Sequence, residues 1–92
     1  MKTMDWFKLG TIYFKKGKYL KAINTFKKSY ETSKNDNELR IKSLIAIGDS
    51  LKFALEFELA DKIYKNALKL AKKDNHNKLI PLISENINLI YV

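Results

Sequence analysis

The chain has no cysteine, a single histidine, a single proline and only three glycines, Gly10, Gly17 and Gly48, each standing alone. Without thiols there is no disulfide framework, thiolate metal site or cysteine nucleophile. His76 sits in the polar run Asp74-Asn75-His76-Asn77 with no second histidine to share a metal, so neither metal nor cofactor is expected. Isolated glycines build no phosphate-cradling loop. The one acidic cluster, Asp49, Glu56, Glu58 and Asp61, lies at helical spacing beside Lys52, Lys62 and Lys65 and reads as surface pairing. No catalytic residue emerges, and the chain is not expected to be an enzyme. No apolar stretch approaches the roughly 20 residues that span a bilayer, and the opening Met1-Lys2-Thr3-Met4-Asp5-Trp6 lacks the unbroken apolar run of a signal peptide. A cytoplasmic protein without membrane insertion is the expectation.

Arginine is also scarce. The formal net charge is +8, but 17 of the 18 basic residues are lysine and only Arg40 offers a guanidinium. Arginine is the better fork for phosphate and the better stacking partner for bases, so the charge argues weakly for nucleic acid. A lysine-rich face that binds RNA or another polyanion is the least favoured reading. An acidic protein partner fits it better.

Ninety-two residues make one small domain, 1–92. Leu, Lys, Ala and Ile dominate, and the composition predicts an all-α fold. Thr3 is placed to cap a first helix of about Met4 to Lys16, with Asp5 favourable to its dipole. Gly17 ends that helix. A second helix, about Lys18 to Ser33, carries Tyr19, Ala22, Ile23, Phe26, Ser29 and Tyr30 on one face. Asp36 or Asn37 can cap a third, about Glu38 to Ala54, with Ile41, Leu44, Ile47, Gly48 and Leu51 inward. A fourth, about Glu56 to Lys73, buries Phe57, Ala60, Tyr64, Ala67, Leu68 and Ala71. Pro81 fits only a first turn, so a fifth helix runs from about Leu79 to Ile90.

A shift of 38 residues lays the second pair of helices on the first. Trp6 falls on Leu44, Leu9 on Ile47, Gly10 on Gly48 and Tyr13 on Leu51; Tyr19 meets Phe57, Ala22 meets Ala60, and Phe26 meets Tyr64. Small residues coincide with small and large with large, as in a stacked helical-repeat array. Gly10 and Gly48 let a neighbouring helix approach closely, so a large side chain there would overpack the crossing. For the fifth helix two registers are open. A shift of 38 puts Leu82, Asn86 and Leu89 inward, and a shift of 36 puts Ile80, Ile83, Ser84 and Ile87 there.

Trp6-x2-Leu9-Gly10-x2-Tyr13 followed by Ala22-x3-Phe26 resembles the tetratricopeptide repeat, over about Thr3 to Lys73 as two repeats (about 3–36 and 37–74), with a capping or partial-repeat helix at about 78–92. Departures are the missing closing proline, the spacing of 38, and a second hairpin turn, Leu55-Glu56-Phe57, without glycine. The resemblance implies antiparallel hairpins stacked right-handedly, and a non-catalytic module or scaffold that binds a protein or peptide in a concave groove. The groove is lined by the first helix of each repeat, beside the packed stripe. Here those positions hold Phe7, Thr11, Phe14 and Lys15, then Lys42, Ile45, Asp49, Lys52 and Phe53. Phe7 and Phe14 fit groove and core equally; Ile45 and Phe53 lean toward burial. The family's carboxylate clamp would need polar groups where Phe7, Thr11 and Ala46 stand. The same resemblance puts Lys21, Lys27, Lys28, Lys62, Lys65, Lys69, Lys72 and Lys73 mostly on the convex side, read as a solvated face.

From Leu79 to Val92 nine residues are Leu, Ile, Tyr or Val. Apolar surface of that extent usually means association. Ile83, Ile87, Ile90 and Tyr91 are therefore candidates for self-association, which would make the chain a homo-oligomeric scaffold.

Overall fold

The computed structural model describes residues 2–91. Its helices are α1 (Thr3–Lys15), α2 (Tyr19–Thr32), α3 (Asn37–Phe53), α4 (Phe57–Lys73) and α5 (Leu79–Ile90). Each helix packs on the next in the chain, and α1 also meets α3. The body measures 33 × 30 × 17 Å, a slab about two helices thick. The expected all-α stack of hairpins is what forms. Val92, counted above with the apolar run, lies outside the described residues, as does Met1.

The helix ends follow local chemistry. The Asp36 carboxylate caps α3 by accepting from the Leu39 amide at 3.0 Å. Thr3 is not the cap expected of it: it already belongs to the helix, and Lys2 takes the cap position with no side-chain bond. A cap needs an extended backbone, which Thr3 has given up. At the other ends one device recurs. The amides of Lys18, Glu56 and His76 donate to the carbonyls of Tyr13, Leu51 and Ala71, at 2.9, 2.8 and 2.9 Å. That six-to-one closure requires a left-handed residue just before the donor. Gly17 supplies it at φ 75°, whereas Leu55 (φ 65°) and Asn75 (φ 57°) adopt it with a side chain.

Leucine in this region costs about 1–2 kcal/mol, and Leu55 is 73 % exposed, so packing returns little. Leu55→Gly is therefore expected to raise stability by about 1 kcal/mol, read as a higher urea midpoint at unchanged slope. A lower midpoint would mean that Leu55 makes contacts worth more than its backbone strain.

The core forms two clusters. Ala22, Ile23, Phe26 and Ile47 make the first; Ile41, Leu44, Ile45, Ala60, Tyr64, Ala67, Ala71 and Ile83 make the second, and Leu51 and Ile63 pack against both. The glycines have the role their spacing predicts. A Cβ on Gly10 would stand 2.7 Å from the Phe26 ring, and one on Gly48 2.5 Å from the Tyr64 ring. Between the hairpins the hydroxyls of Ser29 and Ser43, both fully buried, share a hydrogen bond of 2.8 Å. Each satisfies the other where no water reaches.

In α5 the shift of 36 prevails. Ile83 is wholly buried, and Ile80, Ile87 and Ile90 pack against the second cluster, while Leu82 and Leu89 face out at 46 % and 54 % exposure. This corrects the self-association set. Ile83 is committed to the core, Ile87 and Ile90 pack partly against it, and Tyr91 is 68 % exposed with its hydroxyl beside the Asp61 carboxylate.

Candidate functional site

Helices α1 and α3 run side by side and leave a shallow groove between them. At one end a depression of about 140 Å³ is lined by Thr11, Phe14, Phe26, Ala46 and Asp49. At the other, one of about 160 Å³ is lined by Met4, Phe7, Asp36, Glu38, Leu39 and Lys42. Both lie between the faces that flank the packed stripe, because residues four and seven positions apart share a helix side.

Most of the expected residues meet here, in different states. Phe7 is half-buried with its ring tilted over Phe26, centroids 5.4 Å apart, so it is wall more than lip. The Thr11 hydroxyl is turned back on its own helix, donating to the Phe7 carbonyl at 3.0 Å. Phe14 meets Phe53 edge-on at 5.4 Å and Tyr19 at 5.7 Å, and Tyr19 stacks on Phe53 at 5.9 Å. Phe53 is 55 % exposed, contrary to its expected burial. It is the last residue of α3, where the rings of Phe14 of α1 and Tyr19 at the start of α2 lie against its own. Lys52 holds its ammonium 5.7 Å over the Phe53 ring. Lys15 is exposed, and Lys42 pairs with Glu38 at 3.6 Å. Ile45 is the exception. At 7 % exposure it belongs to the second core cluster with Ile83 and is not a groove residue.

Asp49 is the groove's one unusual charge. It accepts a short hydrogen bond from the hydroxyl of Tyr64, which is fully buried. Partial burial pushes the Asp49 carboxyl above its usual range, against the opposing pull of the Tyr64 hydroxyl and the Lys52 charge. Burial, reinforced by the bond to Asp49, also raises the Tyr64 phenol. The 38-residue shift gives the pair its meaning. Asp49 and Tyr64 occupy the places of Thr11 and Phe26, so the second hairpin carries a hydrogen-bonded couple where the first carries a threonine bonded to its own helix and a ring without a hydroxyl.

Since the folded Asp49 keeps its proton to higher pH than the unfolded chain does, its contribution falls as pH rises above the unfolded carboxyl value of about 3.9. Asp49→Asn keeps an acceptor for Tyr64 and removes the charge. It is expected to melt above wild type at pH 7, with the gap closing toward pH 3. A gap independent of pH would show that the charge is not what costs stability.

The sequence puts Tyr19 on the packed face of α2, whereas in the structure it completes a triad of rings with Phe14 and Phe53. Its position one residue past the turn carried the only signal. His76 stands 3.8 Å from the Asp74 carboxylate in the α4–α5 loop, and no group of three or more His, Asp or Glu among the described residues is placed to hold a metal. No helix among them is long and apolar enough to cross a membrane.

Compared with known proteins, residues 6–36 match the family model described as tetratricopeptide repeat. No curated protein and no solved structure matches the chain. The matched stretch holds Trp6, Leu9, Gly10, Tyr13, Ala22 and Phe26, the residues on which the resemblance rested.

Proposed function

With α1 and α2 forming a tetratricopeptide repeat and α3 and α4 repeating its plan, we propose that the chain is a non-catalytic protein-interaction module that docks a peptide between α1 and α3. Repeats of this family serve generally as protein-interaction modules. The observation that carries the finer reading is Phe53: more than half exposed, yet held by Phe14 and Tyr19 and overhung by Lys52. A pre-organised aromatic ring beside one carboxylate and one ammonium offers an apolar anchor point with polar bonds at its edge. Ordering costs little there, because neighbouring rings already fix the anchor.

The test is a nuclease-treated pull-down from source lysate with wild type, Phe53→Glu and Phe14→Glu/Phe53→Glu, each first shown to be helical and folded. A protein held by wild type and lost with Phe53→Glu supports the groove and names its occupant. Capture that survives both variants removes the groove from the account.

A second reading rests on α5. Leu82 and Leu89, seven residues apart, share the outward side of α5, and such an apolar stripe can pair with its copy in another chain. A mass by light scattering that rises with concentration, and stays at the monomer value in Leu82→Ser/Leu89→Ser, is the outcome this reading requires.

A further inference from the structure

The opposite side of the slab carries a larger feature than the groove. Helices α2 and α4 diverge over α3 and leave a cleft of about 470 Å³. Its floor is apolar, built from Leu44 and Ile47 of α3 and Ile63 and Leu70 of α4. Its rims carry four cations, Lys27 of α2, Arg40 of α3, and Lys69 and Lys73 of α4, and no acidic residue lines it. Among the described residues none of the four forms an ion pair; the pairs present are Lys42–Glu38, Lys65–Asp61 and His76–Asp74. Arg40 is nevertheless fixed. Its Nη2 donates to the Tyr30 hydroxyl at 2.8 Å, and the guanidinium lies 4.7 Å over the Tyr30 ring.

We propose that this convex cleft binds an acidic amphipathic segment of a partner protein, with apolar side chains on the Leu44–Ile47–Ile63–Leu70 floor and carboxylates against the cations of both walls. The site is separate from the α1–α3 groove, so the two would make the chain a bridge between partners. The floor needs an apolar stripe to displace its water. Four uncompensated like charges repel one another until an anion arrives, so the occupant must be acidic. Cations on both sides of the floor select carboxylates on both sides of the stripe, the pattern of an amphipathic helix laid in a groove. A single-headed amphiphile would engage one of the four and leave the rest unpaired.

The lips extend the same pattern. Leu20, 76 % exposed, lies two turns before Lys27 on one side of α2, and Leu59, 48 % exposed, lies one turn before Ile63 on α4. At about 1.5 Å per residue, Leu59 to Lys73 covers about 21 Å, room for roughly four turns of helix. From the sequence these lysines read as a solvated face, because nothing in the α4 periodicity showed that Ile63 and Leu70 would floor a cleft.

The probe is a fluorescein-labelled sixteen-residue helical peptide with leucines at positions three and four apart and glutamates elsewhere. Its controls have every glutamate changed to glutamine, or every leucine to serine. Wild type is expected to bind the parent peptide and neither control. Lys27→Glu/Lys73→Glu, at exposed positions, is expected to weaken binding about tenfold, while Lys8→Glu/Lys78→Glu, an equal change in net charge, is expected to leave it unchanged. Phe53→Glu should also bind normally, which separates this cleft from the groove. Equal losses in the two charge reversals would reduce the effect to overall charge and overturn the proposal. So would tight binding of the glutamine peptide, or of oligouridylate in place of the acidic one.

Discussion

Gly48→Ala is expected to destabilise the protein by about 1–2 kcal/mol, although alanine is the better helix former. In an exposed helix the exchange would gain up to about 1 kcal/mol. Here the new methyl would sit 2.5 Å from the Tyr64 ring, closer than carbon atoms tolerate. Tyr64 cannot swing aside, since it is wholly buried and its hydroxyl is tied to Asp49. Melting should fall by roughly 5–15 °C for a domain of this size. Gly10→Ala is the internal control. Its methyl would meet Phe26 at 2.7 Å, but that ring has no hydroxyl tether, so the loss should be smaller. Adding Tyr64→Leu to Gly48→Ala should recover part of the deficit, because the two sites share one contact. A Gly48→Ala protein as stable as wild type would show that the backbone, not the ring, accommodates the methyl.

The second large effect concerns α5. Ile83→Ala is expected to cost about 2–5 kcal/mol, as for a fully buried aliphatic side chain that leaves a cavity. Its neighbour Leu82→Ala should stay within about 0.5 kcal/mol, as exposed substitutions do. Ile83 has zero exposure and packs in the cluster of Tyr64, Ala67 and Ala71, whereas Leu82 is 46 % exposed. Against a total of about 5–15 kcal/mol for domains of this kind, the first change removes a large share of stability. Urea denaturation of the two variants decides the register of the helix. Equal losses would place both stripes in the core, and a larger loss at Leu82 would reverse the orientation.

That register marks a boundary between what was legible in the chain and what was not. Helix limits, the matched glycines and the small-against-large pairing could be read because two copies of the pattern check each other. Gly10 facing Phe26 and Gly48 facing Tyr64 are the same contact written twice. Helix α5 has no second copy, and both its stripes are apolar, so periodicity alone could not choose between Leu82 and Ile83. The groove residues divided for a similar reason. Ile45 and Phe53 both stand off the packed stripe of α3, but Ile45 lies mid-helix in the cluster that holds Ile83 of α5, and Phe53 ends the helix with only two rings against it. Which of them is buried depends on where the neighbouring helices stop. The Asp49–Tyr64 couple was hidden because its partners lie on different helices, and neither residue is unusual alone.

Almost every contact in the slab joins helices that are consecutive in the chain. Assembly therefore closes only short loops, and little entropy is spent before contacts begin to reward it. Such a topology folds on the microsecond-to-millisecond scale. Leu51 and Ile63, packed against both clusters, make docking of the second hairpin the step that completes both. Until α4 docks, the side of α3 that bears Gly48 lacks the Tyr64 ring that closes over it.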